Sequence, residues 1–172
     1  MAAKGADATR SSSATHPDFD RRILIERTLH APRALVWQAW TDPKQIIRWW
    51  GPNGFSTTVE VMDVRPGGVW QYVMHGPDGT DYPNRSVFRE VIAPERIIFT
   101  HGGGAADRPR AQFESTWTFT ALGEDTTRVL IDMVFPTAAE RDAIARHYGA
   151  IEGGHQTLAR LADLLEPRGP RS

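Results

Sequence analysis

The sequence predicts an α+β domain in which a curved antiparallel sheet of about six to seven strands wraps around a long C-terminal helix, with two short helices after the first strand. Three observations lead there. Turn-forming clusters recur at hairpin spacing between residues 66 and 125. One segment separates into a face of Phe113, Ser115, Trp117 and Phe119 and a face of Glu114, Thr116, Thr118 and Thr120, as a half-buried strand does. Helical spacing then runs from a capping sequence at Thr137 to Glu166.

Taken in order, Ile23, Ile25, Arg27 and Leu29 alternate as a first strand, and Ala31-Pro32 admits a helix over residues 33–40. Thr41-Asp42-Pro43 caps a second short helix through Trp49, which Gly51-Pro52-Asn53-Gly54 ends before a strand over residues 55–64. Hairpin turns are expected at Pro66-Gly67-Gly68, Gly76-Pro77-Asp78-Gly79, Ala93-Pro94-Glu95, Gly102-Gly103-Gly104 and Leu122-Gly123-Glu124-Asp125. Val129, Ile131, Met133 and Phe135 repeat the alternation in the last strand. Thr137-Ala138-Ala139-Glu140 is a capping box, and glycines at 149, 153 and 154 predict a break in the final helix near Gly149. Beyond it Ile151, His155, Leu158, Ala162 and Leu165 share one stripe, expected to lie on the sheet.

A chain of 172 residues suits a single domain with a sizeable core. Residues 1–20 read as a disordered leader, 21–166 as the domain and 167–172 as a flexible tail. A formal net charge of −1 carries no nucleic-acid footprint, and no segment approaches a membrane span. The absence of cysteine excludes thiol catalysis, thiolate metal sites and disulfides. With no apolar run of signal-peptide type near Met1, a cytoplasmic location is expected.

In the order in which they stand, several motifs make the chain similar to a known family. They are Ala31-Pro32 through Trp40-Thr41-Asp42-Pro43, Trp49-Trp50-Gly51-Pro52 with Gly54-Phe55, the Pro66-Gly67-Gly68 turn, the run from Met74 to Gly79, Pro94-Glu95-Arg96, and Glu152-Gly153-Gly154 with Leu158, Leu161 and Leu164. Over about residues 22–166 the chain resembles the activator-of-heat-shock-protein-ATPase homologues of the START-like, polyketide-cyclase-like (SRPBCC) superfamily. The resemblance implies a helix-grip (START-like, Bet v-like) fold with a cavity between sheet and last helix. It does not fix a function, because the superfamily hosts lipid carriers, hormone receptors and ring cyclases. The co-chaperones of the family carry an additional docking domain, and no stretch of this sequence is long enough to hold one.

Six Trp, seven Phe and three Tyr supply large apolar walls. Trp37, Trp40 and Trp49 are expected to fasten the short helices to the sheet, and Trp50, Phe55, Tyr72, Met74, Phe88 and Phe99 to line a ligand cavity. Trp117, Phe119 and Tyr148 extend that set, with His101, Glu152 and His155 as its polar points. A Glu three residues before a His on a helix shares its face, so Glu152 could hold the His155 imidazole. His75 is expected to face outward, opposite Tyr72 and Met74. The spacing of His75, His101 and His155 fits no metal site, and no phosphate loop, dinucleotide fingerprint or nucleophile elbow is present, so no metal, cofactor or catalytic residue is expected.

The leading expectation is therefore a protein that binds a small, mostly apolar molecule. A second is a cyclase, dehydratase or hydrolase using His101, His155 or Glu152 as general acid–base. A third is an interaction or stress-response protein related to chaperone-ATPase activators. A homodimer is compatible with all three. A connected cavity with converging polar groups would favour the first two, and a filled core the third.

Overall fold

The computed structural model describes residues 19–167. The expected leader, apart from Phe19 and Asp20, and the tail beyond Pro167 lie outside those residues. A 3-10 turn at Phe19–Arg21 leads into β1 (Arg22–Leu29), α1 (Arg33–Thr41) and α2 (Pro43–Ile46). Six strands follow: β2 (Ser56–Met62), β3 (Val69–His75), β4 (Asp81–Ile92), β5 (Arg96–Gly103), β6 (Ala111–Gly123) and β7 (Thr126–Val134). Then come α3 (Ala138–Tyr148) and α4 (Ala150–Leu165). The strands form one antiparallel sheet in the order β1-β7-β6-β5-β4-β3-β2, gripping α4 as the helix-grip fold does.

Local chemistry explains the boundaries. Asp42 accepts from the Lys44 backbone N–H at 2.9 Å, which starts α2 with Pro43 at its first position. That helix ends at Ile46, earlier than Trp49, because residues 47–49 tighten into turns that carry Trp49 inward, where its indole N–H donates to Ala39 O at 2.9 Å. Thr137 accepts from the Glu140 backbone N–H at 3.1 Å, one half of the capping box read from the sequence, while the Glu140 carboxylate accepts from the Thr137 hydroxyl at 3.1 Å rather than from its backbone N–H. Gly149, at φ 57°, ends α3 in the left-handed conformation and starts α4, the expected break.

Two expectations need correcting. Gly102 and Gly103 are not turn residues: β5 runs through Gly103, and the connection occupies residues 104–110. A side chain at Gly103 would meet Pro83 O at 2.7 Å, so glycine there permits close strand approach rather than a hairpin bend. The buried ridge of α4 is also different from the stripe expected. Thr157, Leu158, Leu161 and Ala162 are buried, whereas Ile151, Glu152 and His155 are exposed.

The alternation of the strands turns one face inward throughout. Trp70 and Tyr72, Tyr82 to Phe88 at every second residue, Ile97 and Phe99, and Trp117 and Phe119 all point to the helix side. Trp40 from α1 sits at the centre of this face with ring centroids 5.2–6.0 Å from Trp50, Trp70, Phe88, Phe99 and Trp117. Trp37 meets Phe119 edge-on at 5.8 Å, so the short helices are fastened to the sheet through their tryptophans as expected.

Candidate functional site

Packing of the sheet against α4 is incomplete at one end. A cavity of about 190 Å³ lies beneath the first two turns of α4, walled by Trp50, Met74, Phe99, Phe113, Trp117, Ile131 and Met133, with Ile25 from β1. Its roof is Tyr148, Ala150, Gly153, Gly154 and Thr157. Glycine at 154 lets the helix lie close over Ile25. A side chain there would overlap Ile25, and one at Gly153 would stand 3.3 Å from Pro52. The loop after α2 is tied to the same helix, since Arg160 donates to Gly51 O at 2.9 Å and Pro52 O at 3.2 Å, and the Asn53 N–H donates to Gln156 Oε1 at 3.0 Å.

The aromatic wall is continuous. Trp50 packs on Trp70 at 4.7 Å and Trp117 at 5.4 Å, and the His101 ring stacks on Phe113 at 4.7 Å. Tyr148 closes the rim by donating to Pro109 O at 2.6 Å, while Arg108 lies over the Tyr82 and Tyr148 rings and donates to His147 O at 3.1 Å. Residues 104–110 are thereby clasped to the end of α3.

Polar groups are few and uncharged. His101 keeps some accessible surface but is enclosed by dense protein, and burial holds its imidazole down at about 4, below the ordinary histidine range. Its Nδ1 is 3.1 Å from Ser86 Oγ. Ser115 lines the cavity from β6 and is almost wholly buried. Among the described residues no carboxylate, lysine or arginine lines the cavity. Tyr72 lies just behind, its hydroxyl pushed upward by burial and partly relieved by the Trp50 indole N–H.

Six residues singled out from the sequence come together here: Trp50, Met74, Phe99, His101, Trp117 and Tyr148. Six do not line the cavity. Tyr72 stacks under Trp70 at 4.1 Å, Phe88 packs on Trp40, and Phe119 packs on Trp37. Phe55 faces Tyr82 at 5.6 Å. Glu152 and His155 project to solvent, because α4 is turned so that Gly154 and Thr157, not His155, face the sheet. Among the general acid–base candidates only His101 borders the cavity. His75 faces outward as expected, with Nδ1 2.7 Å from Asp81 and Nε2 2.9 Å from Thr58. Sequence reasoning missed Phe113, Ser115, Ile131 and Met133 as lining residues, although their inward phase in β6 and β7 was the signal that finds them.

Protein Ms6760 from Mycobacterium smegmatis is 28% identical, with a TM-score of 0.76 over 87% of this chain and 93% of its own. A protein from Arthrobacter aurescens solved by NMR is 29% identical, with a TM-score of 0.78 over 87% of this chain and 89% of its own. Protein NE0264 from Nitrosomonas europaea is 28% identical, with a TM-score of 0.74 over 86% and 95%. No curated protein matches. No helix among the described residues is long and apolar enough to cross a membrane. The family model described as activator of Hsp90 ATPase homolog 1-like protein matches residues 30–166, which include every cavity-lining residue but Ile25 and every element after the first strand, and the chain belongs to that family.

Proposed function

We propose that this chain binds a small, mostly apolar molecule in the cavity between the curved sheet and α4. The observation that carries the reading is the cavity itself. Space of about 190 Å³ left unfilled between sheet and helix, partly open at its rim, forgoes packing that a filled core would have, at most about 4–5 kcal/mol at the price per unit volume of a closed cavity. The void is walled by aromatic and sulfur-containing side chains, with a few uncharged polar groups to orient an occupant, as ligand pockets are.

Binding is favoured over turnover by the state of His101. A neutral imidazole with no carboxylate beside it in the cavity orients a ligand better than it moves a proton at neutral pH. The test is a native mass spectrum of freshly purified protein, followed by titration with ethylbenzene monitored through tryptophan fluorescence. Saturable quenching that Trp117→Leu abolishes supports the reading. Absence of both a co-purified adduct and saturable binding refutes it.

A further inference from the structure

Ser86 is completely buried, and its hydroxyl makes one hydrogen bond, to His101 Nδ1 at 3.1 Å. If Nδ1 carried the ring proton, the Ser86 proton would have no acceptor, and buried polar groups are seldom left so. Ser86 therefore donates to Nδ1, and the imidazole carries its proton on Nε2. The donor left free belongs to a ring that borders the cavity. Ser115 supplies a second polar point. Ser115 is on the cavity wall, 1% exposed, and its hydroxyl makes no hydrogen bond among the described residues.

The strand register brings the two together. His101 pairs with Phe113 and Phe99 with Ser115, so His101 and Ser115 are diagonal neighbours on the inner face of β5 and β6. Both groups can donate, and neither bears charge at neutral pH, since burial keeps His101 unprotonated. An anionic ligand would meet no cation among the described lining residues. Size sets the other limit. A dry cavity of roughly 150 Å³ holds one benzene ring. The 190 Å³ here therefore admits little more than a ring with a short substituent.

Resting on the binding reading above, we propose that the occupant is a neutral, compact molecule carrying one acceptor oxygen, which accepts from His101 Nε2–H and the Ser115 hydroxyl while its apolar body lies against Trp50, Trp117 and Phe113. The Ser86–His101 pair is then a positioning device that fixes which ring nitrogen donates. A hydrocarbon of the same shape binds without these bonds, a carboxylate must shed its hydration with no charge to replace it, and a long chain overruns the space.

Four probes titrated into the whole chain at pH 7.5 test this: ethylbenzene, acetophenone, benzoate and octanophenone. Acetophenone should bind about tenfold more tightly than ethylbenzene, as two modest net hydrogen bonds imply. Ser115→Ala and His101→Phe should each shrink that ratio, Ser115→Ala being the milder change if His101→Phe folds poorly. Benzoate should not bind at concentrations that saturate with acetophenone, and octanophenone should gain nothing from its chain. Nitrogen-15 spectra should show the His101 proton on Nε2. A wild-type ratio near one, a ratio untouched by Ser115→Ala, preference for benzoate, affinity rising with chain length, or a proton on Nδ1 would overturn the inference. If ethylbenzene binds and acetophenone has no advantage, the cavity reading survives and the polar anchor falls. If no probe binds, both fall.

Discussion

Substituting Gly154 by alanine separates the two demands made on α4. The position is the fifth residue of a sixteen-residue helix, so the change gains roughly 1 kcal/mol of helix propensity. The new methyl group would overlap Ile25 Cδ1. That atom is the free end of a side chain, and Ile25 borders the cavity, so it can swing into empty space. Displacing it from its preferred rotamer costs about 0.5–1.5 kcal/mol, which nearly cancels the helical gain. The net change in stability is expected within about 1 kcal/mol of zero, a shift in Tm of no more than about 2–4 °C.

Binding should respond quite differently. Space now used by the displaced Ile25 is no longer open to a ligand, and overpacking a filled cavity costs about 1–3 kcal/mol, so affinity for ethylbenzene should fall about tenfold or more. Differential scanning fluorimetry and fluorescence titration on one preparation measure both quantities. A fall in Tm above about 10 °C would mean that the helix backbone, not Ile25, gives way. Unaltered Tm with unaltered affinity would mean that the space beneath Gly154 is not where ligands go.

Exposure of the polar pair on α4 predicts that Glu152→Gln and His155→Phe each leave stability within about 0.5 kcal/mol and probe affinity unchanged; a threefold loss of affinity in either would return that residue to the site. Trp40, closed in on all sides by rings, should cost about 3–5 kcal/mol as alanine in urea unfolding, and Trp50, which borders the void, distinctly less. Equal losses would argue that no void stands beside Trp50. With a folded pKa of about 4 against about 6.5 unfolded, His101 is protonated first in the unfolded chain, so stability is full above pH 6.5 and falls as pH drops towards 4. Between pH 7 and 4.5 that contribution is on the order of 2–3 kcal/mol, and His101→Phe should lack it; identical slopes in the two proteins would refute the assignment.

What the sequence could convey follows from which signals reach beyond a few residues. A period of two is unambiguous when large residues alternate with threonine and glutamate, which is why Phe113 to Phe119 placed β6 and its buried face correctly. A helical stripe is less constrained. Ile151, His155, Leu158 and Ala162 lie at acceptable spacing, yet the true ridge begins with Gly154 and Thr157, residues too small or too polar to register as a hydrophobic face. Their role is set by how near β1 and the 50–52 loop approach, a tertiary distance that no local pattern carries. The same limit explains Tyr72 and Phe88. Both face inward as alternation requires, but whether an inward ring meets a void or Trp40 is decided by α1, far away in the chain.

Whether the void is a packing defect or a kept feature can be argued from its two sides. Where α1 and the turn after α2 bring in Trp40 and Trp49, the gap between sheet and helix is filled by the largest side chains available. Where α4 begins, the helix contributes Ala150, Gly153 and Gly154, and the sheet opposite contributes Ser115 between Phe113 and Trp117. Glycine at two successive helical positions loses about 1 kcal/mol each relative to alanine, and an inward serine forgoes apolar burial. Three independent concessions converge on one volume, and Gly154→Ala has a relief route through Ile25 that only the empty space provides. A random flaw in packing would be expected to collapse or to be filled by the first larger residue at any of these positions. Small residues on both walls, with Ser115 and His101 set diagonally at the floor, are what a binding cavity needs and a well-packed core does not.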